Sequence, residues 1–209
     1  SKKKKPVFFA TGAATLKEVK NAYNIVSKNN SQLCIMQCNT NYTGSIENFK
    51  FINLNVLKKY KKIFPKALLG LSDHTPGHET VLGAVAMGAQ AIEKHFTDNI
   101  KRKGPDHPFS MDPKTWKLMV VATRNLEKSM GDGIKRVEKN ETETVVLQRR
   151  SIRVTKNFHK GEVLKKENLE FQRPCPKDAI IPNDLRKFLG KKLNRNLKRG
   201  SHLKKTYFK

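Results

Sequence analysis

The chain has 209 residues, with 43 Lys and Arg against 18 Asp and Glu, for a formal net charge of +25. Apolar residues make up 37%, below the ~45–50% of an average globular domain, yet they gather in runs at 7–10, 67–71 and 81–92, which excludes disorder throughout. No apolar stretch approaches the ~20 residues of a membrane-spanning helix, and the basic start lacks the pattern of a signal peptide. The expectation is a cytoplasmic chain with no membrane partner.

Taken in chain order, Val7 to Thr11 is a short apolar strand ending at Gly12. Leu16, Val19, Tyr23 and Val26 recur at helical spacing, with Thr15 and Glu18 forming a capping-box signature ahead of them. Gln32 to Gln37 predicts a second strand and Glu47 to Tyr60 an amphipathic helix. Pro65 breaks the chain, Ala67 to Leu71 is a third strand, Thr80 to Met87 a small-residue helix, and Gln90 to Glu93 a fourth strand. Asp112-Pro113 opens a helix running to about Met130, as cap and first-turn proline. Four β-then-α units in succession imply a parallel sheet with right-handed crossovers. Such a sheet is either half of a (β/α)8 barrel or an open four-stranded sheet.

The character changes at Gly131. Residues 131–150 are polar and weakly periodic, which predicts a linker. Residues 151–209 hold short β-type runs at Ser151–Val154, Glu162–Leu164 and Leu169–Gln172, broken by Gly and Pro, which predicts a small β-rich domain. The expected division is 1–130, a linker at 131–150, and 151–209. Cys34, Cys38 and Cys175 are odd in number and lack metal-ligand spacing, so they are expected as buried free thiols in a reducing compartment.

Two clusters carry the chemistry. Ser72-Asp73-His74 and Glu93-Lys94-His95 each follow a predicted strand with an imidazole two or three residues past its end. Neighbouring parallel strands lie ~4.8 Å apart, so the two imidazoles can converge on one divalent ion. On spacing alone this reading is balanced against two unrelated loop histidines. Gly104-Pro105-Asp106-His107 presents a carboxylate that suits a polyol hydroxyl, or is a plain turn. Arg173-Pro174 offers a stiffened guanidinium that suits an oxyanion or amide oxygen, or is a surface charge. His78, His159 and His202 have no companions and are expected at the surface. The spread lysines form no nucleic-acid-binding motif, and a nucleic-acid partner is not expected.

Ala10-Thr11-Gly12, Gln37-Cys38-Asn39-Thr40-Asn41-Tyr42, Gly70 to Thr75, Gly83 to Ala89, Glu93-Lys94-His95-Phe96-Thr97 and Gly104 to His107 occur in one order. Together they closely resemble the sialic acid synthase (N-acetylneuraminate synthase) family. Residues 151–209, with Lys160-Gly161-Glu162, Gln172-Arg173-Pro174 and Leu189 to Lys192, are similar to that family's antifreeze-like SAF domain. The resemblance implies the C-terminal half of a (β/α)8 TIM barrel followed by a SAF domain, beginning at about the fifth strand. It further implies that these residues alone would self-associate or lack activity.

The implied reaction condenses phosphoenolpyruvate with the aldehyde of an N-acetylated hexosamine, giving a nine-carbon 2-keto acid and phosphate. By resemblance, His74 and His95 hold a divalent metal, Mn²⁺ first with Mg²⁺ or Co²⁺ as alternatives, and Glu93 handles a proton. Thr11, Thr40 and Ser72 match positions near phosphoenolpyruvate, and Tyr42 and Asp106 match positions that touch the sugar. Arg173 matches the SAF arginine that reaches the partner subunit's site in a swapped homodimer. Ala10 and Thr40 depart from the Ser and Asn of some members, and Arg-Pro-Cys-Pro at 173–176 departs from a common Arg-Pro-Gly. The alternative is a basic barrel fragment that binds anions or nucleic acid, which would need neither histidine cluster.

Overall fold

A computed structural model describes residue 3 and residues 5–208. The chain divides into two compact units, residues 1–133 and 134–209.

The first unit holds β1 (Val7–Ala10), α1 (Leu16–Ser27), β2 (Leu33–Cys38), α2 (Val56–Ile63), β3 (Leu68–Asp73), α3 (Glu79–Ala86), β4 (Ala91–Lys94) and α4 (Pro113–Ser129). The strands form one curled sheet in the order β1-β2-β3-β4, parallel throughout. Every residue of β2 is buried, as expected of a strand flanked on both sides. Side chains alternate between the sheet faces. Phe9, Ile35, Leu69, Leu71 and Ile92 pack with Leu57, Val81 and Met119 of the helices into one core.

Local sequence explains the helix starts. The Thr15 side chain accepts from the Glu18 amide at 3.4 Å while Glu18 accepts from the Thr15 amide at 2.7 Å, which is the capping box. Asp112 accepts from the Thr115 amide at 2.7 Å, and Pro113 fills the first turn, where an amide hydrogen has no helical partner.

The structure corrects the expected helix from Glu47 to Tyr60. Ile46–Phe51 is a 3-10 turn, and α2 begins only at Val56. Asn53 lies between them at φ +50°, the left-handed conformation that Asn tolerates better than most residues. The Gln37 side-chain amide donates to the Ile52 carbonyl at 2.9 Å and secures the break against β2.

In the second unit, the stretch expected as a linker contains α5 (Thr142–Gln148), entered through a 3-10 turn at Lys139–Glu141. β5 (Ser151–Val154) and β6 (Leu169–Gln172) pair antiparallel over their full length. The expected run at Glu162–Leu164 makes only one bridge, Val163 to Lys192, while Leu164 is buried. Ile152, Phe158, Ile180, Leu193 and Leu203 centre a second core. His202 is half-buried rather than at the surface, with Nε2 3.6 Å from Asp178. Cys34, Cys38 and Cys175 are buried and free. Among the described residues, no helix is long and apolar enough to cross a membrane.

Candidate active site

The site gathers at the tips of β3 and β4. Ser72 stands opposite Glu93 in the parallel register, and Asp73 opposite Lys94. The residues that follow are His74 and His95. The Ser72 hydroxyl donates to Glu93 Oε2 at 2.5 Å, and Glu93 is exposed.

His74 is buried, with Nδ1 2.8 Å from the Asn39 carbonyl oxygen. A carbonyl only accepts, so Nδ1 carries the proton. In the neutral ring this leaves the Nε2 lone pair free to bind a cation. His95 Nδ1 lies 3.5 Å from Asp106 Oδ2, longer than an ordinary hydrogen bond. The imidazole centroids are 5.1 Å apart with an interplanar angle of 67°.

Two aromatic rings frame the imidazoles. The Tyr42 centroid is 4.1 Å from that of His74 and 5.6 Å from that of His95. Phe109 is buried, 5.1 Å from His95 and 6.4 Å from His74. Phe109 itself sits against Gly44, where a Cβ would come within 2.4 Å of the Phe109 Cβ.

The structure thus brings together Tyr42, Ser72, His74, Glu93, His95 and Asp106. It turns Thr11 elsewhere. Thr11 is buried, its hydroxyl donates to the Met36 carbonyl at 3.0 Å, and it accepts from the Tyr60 hydroxyl at 3.0 Å. Thr11 shares strand parity with Phe9, which packs on the helices, so its side chain faces the helical layer. Thr40 is exposed above Gly12, where an added Cβ would meet its methyl at 2.2 Å. Arg173 belongs to the second unit, exposed at the end of β6.

Three features escaped the sequence reading. Phe109 carried a faint signal as the one large apolar residue between Gly104 and Ser110. The Asn39 carbonyl carried none. The opposite charges of Asp73 and Lys94 occupy equivalent places in the two clusters, and their pairing could have been read from the parallel register.

Among the described residues, no group of three or more His, Cys, Asp or Glu side chains is arranged to hold a metal. The imidazole pair offers two nitrogen donors of a kind that suits Mn²⁺, Fe²⁺ or Zn²⁺, with further positions left to substrate or water oxygens. Two donors beside an aromatic wall fit a Lewis-acid site with open positions, and do not fit a closed structural site.

The model of the NeuB family matches residues 1–135, and that of the SAF domain residues 149–207. The chain belongs to the NeuB family. This NeuB-family chain is 36% identical over 201 residues to an N,N'-diacetyllegionaminic acid synthase of Campylobacter jejuni, covering 95% of the chain and 58% of the relative. It is 33% identical over 210 residues to a pseudaminic acid synthase of the same species, covering 100% of the chain and 59% of the relative. Among solved structures, an N-acetylneuraminic acid synthetase of Leptospira borgpetersenii matches with TM-score 0.59 and 30% identity, over 67% of the chain and 48% of that structure. The chain therefore spans about three fifths of these curated relatives' length. The three names concern three different acids.

Proposed function

We propose that this chain supplies the cation-holding part of a sugar-acid synthase site, in which phosphoenolpyruvate condenses with the aldehyde of an N-acetylated amino sugar. The observation that carries this reading is the neighbouring pair His74 and His95, 5.1 Å apart just past adjacent strand tips, in a chain whose relatives are named sialic-, legionaminic- and pseudaminic-acid synthases. The fold proposed for the whole protein is a (β/α)8 barrel with a SAF domain.

His74 and His95 would hold the divalent ion, Mn²⁺ first. When bound, the ion supplies Lewis acidity at the aldehyde oxygen. The Asn39 carbonyl keeps the His74 proton on Nδ1, and Tyr42 and Phe109 pack against both rings. The methylene carbon of phosphoenolpyruvate forms the new C–C bond to the aldehyde carbon. Water adds to the resulting oxocarbenium carbon, and the C–O bond to phosphate breaks. The water oxygen becomes the ketone oxygen, one of its protons ends on the former aldehyde oxygen, and the other leaves with phosphate. Glu93, oriented by Ser72, accepts the proton as water adds.

In this reading Asp106 and Tyr42 meet sugar hydroxyls, and Thr40 meets phosphoenolpyruvate. Thr11 has a different task in this reading. Its hydroxyl ties β1 to β2 and α2, and it makes no substrate contact. Arg173 acts across a homodimer on the partner's N-acetyl group.

The test is phosphate release by the intact protein, supplied with Mn²⁺, phosphoenolpyruvate and either N-acetylmannosamine or a diacetamido hexose. Release is expected to require both substrates and to be abolished by His74→Ala or His95→Ala. Release without sugar, or unchanged rates in both variants, would overturn the reading.

A further inference from the structure

Lys94 is almost fully buried, as is the Asp73 carboxylate it meets, with side chains 1% and 0% exposed. The Lys94 ammonium donates to Asp73 Oδ2 at 2.7 Å and to the Thr75 carbonyl at 2.7 Å. These partners lie one residue before and one residue after His74. Lys94 itself immediately precedes His95. One side chain therefore grips the backbone segment carrying the first imidazole from the root of the second.

The grip is closed on the other side as well. Asp73 accepts from the Thr75 hydroxyl at 2.9 and 3.0 Å and from the Thr80 hydroxyl at 2.6 Å, which ties it to the first turn of α3. Thr75 and Thr80 are buried too. A buried ion pair is weak evidence for stability, because desolvation offsets much of its attraction. What it secures is arrangement, since displacement of either strand tip strands a charge in an apolar layer.

We propose that Lys94, through Asp73 and the Thr75 carbonyl, is a positioning residue that sets the separation of His74 and His95 for cation binding. The inference rests on the reading of those histidines as a cation site. It adds a third side chain that never touches the ion, yet decides how well the two imidazoles can share it.

The test uses the intact protein and Mn²⁺ itself, with binding read by the electron paramagnetic resonance signal of the free ion. Lys94→Met keeps the length of the stem and removes the ammonium. Asp73→Asn keeps the shape, removes the charge and turns one of the two accepting oxygens into a donor. Each is expected to weaken Mn²⁺ binding by about tenfold, as changes beyond the metal's own ligands commonly do. Phe64→Leu, in the same core but at the C-terminal cap of α2, the end away from the strand tips, is the control. It lowers stability and leaves the Mn²⁺ affinity of the folded protein unchanged.

Thr80→Val removes one Asp73 contact and spares the ion pair, so it keeps the test decisive where the charged variants do not fold. Its expected loss is about threefold. A folded Lys94→Met, Asp73→Asn or Thr80→Val that binds Mn²⁺ as the unmutated protein does would overturn the proposal. Failure of the underlying reading looks different. There the unmutated protein itself binds no Mn²⁺, or His74→Ala and His95→Ala bind it as tightly.

Discussion

Removal of the Phe109 ring tests whether the aromatic frame is a packed wall or a loose lid. Phe109 is 7% exposed, and its ring reaches His95, His74 and Tyr42 at centroid distances of 5.1, 6.4 and 6.4 Å. A Phe side chain buries roughly 150–250 Å², which at about 25 cal/mol per Å² sets an upper bound of about 4–6 kcal/mol. Phe→Ala changes in cores cost about 3–5 kcal/mol, and a loss near 3 is expected here because the wall borders an open site. Phe109→Leu keeps most of the volume and loses the ring contacts, for about 1–1.5 kcal/mol. The chain has one tryptophan, Trp116, in α4, packed edge-on to Phe96 at 5.5 Å. Its fluorescence therefore reports urea unfolding of the first unit alone, which avoids averaging over two units. Both variants should also weaken Mn²⁺ binding, with Ala weaker than Leu. A Phe109→Ala midpoint equivalent to less than about 1 kcal/mol, with Mn²⁺ binding intact, would refute the wall.

Two further outcomes follow from packing. Burial pushes the Cys34 thiol from an ordinary value of 9.0 up to about 11, so the folded chain resists thiolate formation. At pH 8, iodoacetamide should modify Cys34 about 100-fold more slowly in the folded than in the urea-unfolded chain from ionisation alone, and slower still from burial. Because the folded value is the higher one, the thiol's stabilising contribution is complete below about pH 9 and disappears between about pH 9 and 11. Equal labelling rates in the two states would overturn this. Gly70→Ala places a Cβ 2.8 Å from Met36 Cγ and 2.9 Å from the Ala91 carbonyl oxygen. Met36 is flexible, but the carbonyl belongs to β4 and retreats only if that strand moves. A loss of about 1–3 kcal/mol by Trp116 fluorescence is expected, with weakened Mn²⁺ binding because β4 leads to His95. An unmoved midpoint would contradict the packing.

The alternation of strands and helices was legible because each apolar run is short and bounded by Gly, Pro or a capping pair. β5 and β6 fall where their alternation placed them. Two elements were not legible. The break at Asn53 is hidden because Phe51, Leu54 and Leu57 continue a helical spacing through it, although Phe51 is 63% exposed. Helix α5 is hidden because it is seven residues long, has no buried side chain and sits in a polar stretch. At the site, His74 and His95 were legible as candidates because each stands two residues past a polar switch that ends an apolar run. The contacts of Thr11 were not legible, because its hydroxyl meets the Met36 carbonyl and the Tyr60 hydroxyl of α2, partners distant in sequence. Phe109 was invisible because its role arises from a loop that folds back over both histidines, and no local pattern encodes that return.

Strand parity also explains why so few residues suffice to build the tips of β3 and β4. The last two positions of each strand and the residue after them carry complementary chemistry: hydroxyl against carboxylate at Ser72 and Glu93, carboxylate against ammonium at Asp73 and Lys94, imidazole beside imidazole at His74 and His95. The first two pairs point to opposite faces of the sheet. A slip of one residue would exchange the faces along the whole strand. It would send Lys94 away from Asp73 and leave a buried charge unmatched on each side, a fault of about 3–5 kcal/mol in comparable buried pairs. The ion pair therefore selects the register, and the register delivers the two histidines side by side. Chemistry at the tip and specificity of folding depend on the same two strands. If the proposed cation site holds, a variant that keeps both histidines and allows the strands to slip loses Mn²⁺ binding as completely as one that lacks a histidine.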